Sequence, residues 1–157
     1  MNFLPSAQIQ QRVVFINLSE FIGGQAMTRR EAREQAFILI FEKSFNTEAG
    51  IDEILDLAKE LELIDDDEFL ESLVHKTCEM QQEIDEHISS NARGWKINRI
   101  AKVPLAIIRL ALAEILYFED VPAGVSINEA VELAKKYATP EDASFINGLL
   151  GTVARSL

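Results

Sequence analysis

The sequence predicts an all-α protein, a bundle of six or seven helices. Three observations predict it: apolar residues recur at three- and four-residue spacing almost everywhere from residue 27 onward, no run alternates polar with apolar, and capping signals punctuate the chain at short intervals. With 157 residues and 48% hydrophobic content, the chain can bury one core, as a single domain or as two small halves that share it.

The first helix opens at Thr28, with Glu31 three residues later, the spacing of a capping box. Ala32, Ala36, Phe37, Ile40 and Phe41 form its apolar stripe. "GIDEILDLAKELELI" makes a second amphipathic helix with Ile51, Ile54, Leu55, Ala58 and Leu61 inward. The third, expected to be the longest, follows the acids at 65–67, which suit a positive helix end, and runs to Asn91 and Gly94. It carries Phe69, Leu70, Leu73, Val74, Thr77, Met80 or Gln81, Ile84 and Ile88 inward.

"KINRI" adds a short turn, and Pro104 suits the first position of the next helix. Between Leu105 and Phe118 the only charges are Arg109 and Glu114, so this helix is apolar nearly all round and belongs at the centre. "DVPAG" stops it. Ser126 with Glu129 reads as a second capping box, opening a helix with Ile127, Ala130, Val131 and Ala134 inward. The last helix starts at Thr139 and Pro140 with two acids following, and buries Phe145, Ile146, Leu149 and Val153. Gly148 and Gly151 read as sites of close backbone approach.

Charge is unevenly spread. The formal net charge is −11, yet residues 51–90 hold fourteen acids against Lys59 and Lys76, and that −12 exceeds the whole imbalance. Residues 91–110 carry Arg93, Lys96, Arg99, Lys102 and Arg109 with no acid. The protein is therefore electrostatically two-sided, which leaves room for a phosphate-binding or RNA-binding face. One cysteine, Cys78, excludes an internal disulfide and suits a reducing cytoplasm. No apolar run is long enough for a membrane helix, and the first 25 residues make a poor signal peptide, with one arginine and an apolar run broken by Asn17, Ser19 and Glu20.

Catalytic chemistry is not expected. No phosphate loop, dinucleotide fingerprint or nucleophile elbow occurs. His75 and Cys78 share a helix face and His87 lies further along, but one cysteine and two histidines fall short of a structural zinc site. They read as ordinary helix positions, and neither a metal nor a cofactor is expected.

The feature without an obvious local reason is "MTRREAREQA". Arg29, Arg30 and Arg33 crowd a helix N-terminus, where cations oppose the macrodipole at a cost of about 0.3–1 kcal/mol each. An external anion would account for them, since free amides and guanidinium forks both bind phosphate. A local i, i+4 pair of Arg30 with Glu34 is the alternative. Lys135, Lys136 and Tyr137 at one helix end, with Phe145 and Asn147 beyond the turn, offer the charge, ring and amide that single-stranded RNA requires. A dipole role for the lysines and a core position for Phe145 are the alternatives, and for Phe145 the core position is the expected one.

"REAREQAF", "GWKINRIAKV", "IIRLALAEIL" and "SINEAVELAKKYATPEDASFINGLLGTVA" together resemble the bacterial transcription antitermination family NusB, over a stretch from Met27 to the C-terminus. The resemblance implies two three-helix halves, no enzymatic activity, and binding to the boxA sequence of ribosomal RNA leaders. It also implies a heterodimer with NusE, which is ribosomal protein S10, within an RNA polymerase elongation complex containing other Nus factors. Carried onto this chain, Arg29, Arg30 and Arg33 match the RNA-binding helix start; Lys135, Lys136, Tyr137, Phe145 and Asn147 match the C-terminal RNA motif. Phe41 falls at the ribosomal-protein contact. Where many members read "VDRAILR" this chain reads "VPLAIIR", so Pro104 and Leu105 replace an acid and a base and are expected to reorganise that contact.

The expected organisation is a NusB-like domain over residues 27–157, with residues 1–26 a disordered extension or an overextended start ahead of Met27. Two alternatives stand beside an RNA-binding adaptor: a module like the recognition domain of RNA methyltransferases, whose catalytic domain this chain lacks, or a pure protein-interaction bundle.

Overall fold

A computed structural model describes residues 27–157; the expectation for residues 1–26 lies outside the described residues. Those described form seven α-helices and one 3₁₀ turn, with no strand among them. In chain order they are α1 (Arg29–Phe45), α2 (Ile51–Glu60), α3 (Glu68–Glu79), α4 (Gln81–Asn91), the 3₁₀ turn (Ile97–Arg99), α5 (Lys102–Tyr117), α6 (Ala123–Tyr137) and α7 (Pro140–Ser156).

α5 is the axis. It packs against α1, α3, α4, α6 and α7, and its Ile107, Ile108 and Leu112 are essentially without solvent contact. Truncating such a residue to alanine typically costs about 2–5 kcal/mol. The two charges in the body of this helix are each absorbed by a neighbour, beyond Lys102 at its first position: Arg109 donates to both carboxylate oxygens of Asp85 on α4 at 2.8 and 2.9 Å, and Glu114 accepts from Arg33 on α1. An apolar helix carries charge here because each charge ties it to another helix.

The capping box at Thr28 forms as expected, with Thr28 Oγ1 accepting from Glu31 N and Glu31 Oε2 accepting from Thr28 N. Thr139 and Asp142 make the corresponding box at α7, with Pro140 in its first turn. α2 ends with Glu62 in the left-handed region (φ 55°), while Leu63 N donates to Ala58 O at 2.8 Å. That is a Schellman closure with a glutamate where glycine is usual. Gln35, buried on α1, pins the following loop by accepting from Asp65 N and donating to Asp65 Oδ2.

Four sequence expectations change. The long third helix is two, broken at Met80 (φ −100°, ψ 16°), and α1 and α7 are the longest instead. Just before the break Thr77 Oγ1 donates to Leu73 O at 2.7 Å, a back-bond that bends helices. The bend lets α3 pack on α1 while α4 turns toward α7. Ser126 does not cap: α6 already starts at Ala123, and the buried Ser126 hydroxyl donates to Glu114. Pro104 is the third helical residue of α5, not the first, and loses nothing there because the first intrahelical amide donor is Leu105, to Ala101 O. Gly148 and Gly151 do not mark close packing: a β-carbon at Gly148 would meet open space, and one at Gly151 only the Arg155 side chain.

Candidate nucleic-acid interface

The start of α1 lies beside the second half of α6, and charged pairs alternate between them. Arg30 grips Glu129 with Nε to Oε2 at 3.0 Å and Nη2 to Oε1 at 2.9 Å. This hydrogen bond, followed by the carboxylate's charge, raises the Arg30 pKa above its usual value. One turn along, Glu34 Oε1 accepts from Lys136 Nζ at 2.5 Å and from the Tyr137 hydroxyl. Burial, then the hydrogen bond and charge of Glu34, push the Tyr137 phenol well above its ordinary range. Its ring packs on Phe37 with centroids 5.1 Å apart. Lys135 pairs with Glu132 on its own helix at 3.0 Å.

Arg30, Glu34, Glu129, Glu132, Leu133, Lys135 and Lys136 thus line one open groove of about 370 Å³. Its three cations face three carboxylates. The anions that compensate the crowded helix start are supplied by α6 and α5, not by Glu34 to Arg30 as the local-pair alternative had it. The Arg30 side chain keeps 65% of its surface exposed, so its fork remains reachable from solvent.

Arg33 is different. Its guanidinium is buried against Glu114 and lies 5.3 Å from the Phe69 ring centroid. Of the three arginines expected to meet phosphate, Arg33 is thus the one whose fork is turned inward and occupied by Glu114. Arg29 stays at the surface, over Phe69 at 4.0 Å, with no carboxylate partner among the described residues.

Phe145 and Asn147 sit further along α7. Phe145 is half-buried and packs against Trp95, which is 55% exposed, with ring centroids 5.9 Å apart and planes tilted by 54°. Asn147 is exposed, and being two residues on it points to another face of the helix than Phe145. The structure therefore gathers Arg30, Lys135, Lys136 and Tyr137 closely, but not Phe145 and Asn147 onto one face.

On the other end of α1, Phe41 is half-buried in a ring chain, 6.1 Å from Phe37 and edge-on to Phe45 at 4.9 Å. Lys102 Nζ lies 4.9 Å over the exposed Phe45 ring and donates to Ser44 O. Pro104, expected to reorganise the ribosomal-protein contact, is buried. The adjoining groove, about 440 Å³, is lined instead by residues including Ile40, Lys43, Cys78, Lys102, Leu105 and Arg109.

Sequence reasoning missed three organisers, Glu114, Glu129 and Glu34, and the contact between Trp95 and Phe145. The single acid within an apolar helix was the available signal for Glu114, since a buried carboxylate needs a cation. Nothing local pointed to Glu129 or Glu34, whose partners lie about a hundred residues away in sequence.

Fold and surface define a helical bundle that displays a charge-laced groove beside stacked aromatic rings. The NusB family model matches residues 30–155. The chain belongs to the NusB family. It is 46% identical over 135 residues to the transcription antitermination protein NusB of Natranaerobius thermophilus, covering 83% of this chain and 97% of the relative. It is 42% identical over 130 residues to the same protein of Acetivibrio thermocellus, covering 82% and 90%. Among solved structures it is similar to T. maritima NusB, with TM-score 0.74, 30% identity and coverage of 83% and 93%. A structure of the antitermination factors NusB and NusE in complex with dsRNA matches with TM-score 0.74, 26% identity and coverage of 82% and 97%.

Proposed function

We propose that this protein is a non-catalytic, cytoplasmic adaptor in transcription antitermination. It binds the boxA sequence of ribosomal RNA leaders together with ribosomal protein S10 (NusE), and joins the elongating RNA polymerase with other Nus factors. The observation that carries the RNA reading is the convergence of Arg30, Lys135 and Lys136 in one open groove beside Tyr137; Arg29, next to Arg30 in the chain, is exposed over Phe69. Phosphates gain from guanidinium forks and ammonium groups, and bases gain from aromatic faces. Family membership and a solved relative that carries both NusE and RNA support the same reading.

In this reading Arg29, Arg30, Lys135, Lys136 and Tyr137 contact RNA, Phe145 extends the track along α7, and Asn147 adds a contact from another face of that helix. Arg33 positions Arg29 and Arg30 by anchoring α1. The Phe41 and Phe45 rings with Lys102 form the protein-partner surface at the other end of α1. No described helix is long and apolar enough to cross a membrane.

The test is a titration of boxA RNA and a base-scrambled RNA of equal length, each with and without the ribosomal protein. Tighter binding of boxA, increased by the ribosomal protein, is expected. Equal affinity for both RNAs under every condition would reject the proposal in favour of a pure protein-interaction bundle.

A further inference from the structure

The segment between α4 and α5 presents an unusual surface. Arg93, Lys96 and Arg99 are exposed and make no ion pair or side-chain hydrogen bond with the described residues. In a chain with 26 acids and 15 lysines and arginines, three uncompensated cations within seven residues stand out. Every other feature of the segment fixes them in place. Gly94 takes a left-handed conformation (φ 76°), Trp95 N donates to Ala92 O at 3.1 Å, and Ile97 and Ile100 pack against the core on either side of the 3₁₀ turn. The turn is thus pinned by its apolar residues while its cations are left free.

Between these cations stands Trp95, the only tryptophan of the chain and 55% exposed. Its indole is held by the Phe145 ring of α7, which packs against it at a 54° tilt with centroids 5.9 Å apart. A large ring that is half-exposed on a rigid backing, and flanked by unpaired cations, has the composition of a base-stacking platform with phosphate contacts. Its position is also right. Phe145 lies five residues past Pro140, roughly 8 Å along the α7 axis, and only Ala138 and Thr139 separate Pro140 from the end of α6 that carries Lys135, Lys136 and Tyr137.

We infer that the segment Arg93–Arg99 is a second single-stranded RNA platform, with Trp95 stacking on an unpaired base and Arg93, Lys96 and Arg99 holding the phosphates that flank it. The inference rests on the RNA-binding reading above and lengthens its track along α7. It differs from the groove in kind. The groove's cations are pre-paired with carboxylates, whereas these are open and bind phosphate without displacing anything.

Because Trp95 is the sole tryptophan, the intact protein carries its own reporter. Titration with single-stranded leader RNA containing boxA and its flanking nucleotides should quench indole fluorescence to saturation. Trp95→Ala should weaken binding by roughly 5- to 150-fold, the range seen on removing a stacking ring, and Trp95→Phe should retain most of the affinity. Replacing Arg93, Lys96 and Arg99 together by Gln should make the log–log salt slope shallower by about 2, at about 0.7 per phosphate. Circular dichroism checks that each variant is folded. If these variants bind normally and the indole stays unquenched while Arg30→Glu with Lys136→Glu loses affinity, the platform is refuted and the groove reading survives. Quenching by the ribosomal protein but not by RNA would also refute it, assigning Trp95 to a protein contact. If changes at neither place affect RNA binding, both readings fall.

Discussion

Arg33 of α1 and Glu114 of α5 form a bidentate ion pair inside the protein, with 2.9 Å between Nε and Oε2 and 2.9 Å between Nη2 and Oε1, and Ser126 of α6 adds a third donor to the same carboxylate. The glutamate side chain is only 2% exposed. Removing one member of such a pair leaves an uncompensated buried charge and costs about 3–5 kcal/mol. Arg33→Met alone or Glu114→Leu alone should lower stability by that order in chemical denaturation. The double replacement should regain most of the loss, and a double variant as unstable as the worse single would show that the pair does more than satisfy its own charges.

The Arg30–Glu129 pair makes the opposite prediction for binding. Glu129 holds the fork of Arg30 in the groove but also competes with phosphate for it. Glu129→Gln should raise affinity for boxA and scrambled RNA alike by several-fold and steepen the salt dependence, since one more cation is left for phosphate. A fluorescence-anisotropy titration at two salt concentrations reads both. Charge reversal of Arg29 and Arg30 should do the reverse without unfolding the protein, because neither side chain is buried.

Tyr137 predicts an alkaline limit to stability. Its phenol has a folded-state pKa raised above the ordinary value of 10.0, by burial first and by Glu34 second. A raised pKa means that the folded state holds its proton more tightly than the unfolded state. The resulting stability is complete below pH 10 and declines as pH rises through and beyond that value toward the folded-state pKa. Tyr137→Phe should flatten part of that decline in denaturation curves collected from neutral to alkaline pH, while leaving the neutral-pH helix content unchanged.

Glu62 offers a stabilising change. It occupies a left-handed conformation (φ 55°) at an exposed helix end, where a side chain costs about 1–2 kcal/mol. Glu62→Gly removes that strain but frees the unfolded chain, so a net gain of roughly 0.5–1 kcal/mol is expected. Thermal denaturation should show the midpoint moving up by a few degrees; a fall would mean that the Schellman closure depends on the glutamate side chain.

Much of this architecture was legible in the sequence because the signals are local. Helix period, Thr28 with Glu31, Thr139 with Pro140 and the sparse charges of α5 each act within a few residues, and each corresponds to what the structure holds. The misreadings are places where a distant partner overrides a local rule. Ser126 and Glu129 have capping-box spacing, but Glu114 and Arg30 claim their side chains from other helices. The helix predicted through Met80 has no breaker residue; its bend follows from the need of α3 and α4 to pack on different neighbours. Arg33 shared the composition of a surface cluster with Arg29 and Arg30, and only its rotational position on α1, facing Glu114, turns it inward.

The placement of α5 reaches beyond packing. Because one helix supplies the floor for α1, α3, α4, α6 and α7 alike, no group of them is a separable module. A chain cut at the Met80 bend would leave α1–α3 without the surface that closes them, so the amino-terminal fragment should remain unstructured until the other piece is added. Groove, aromatic platform and partner surface therefore stand or fall in a single unfolding transition, and a lesion in any one helix is felt at all three.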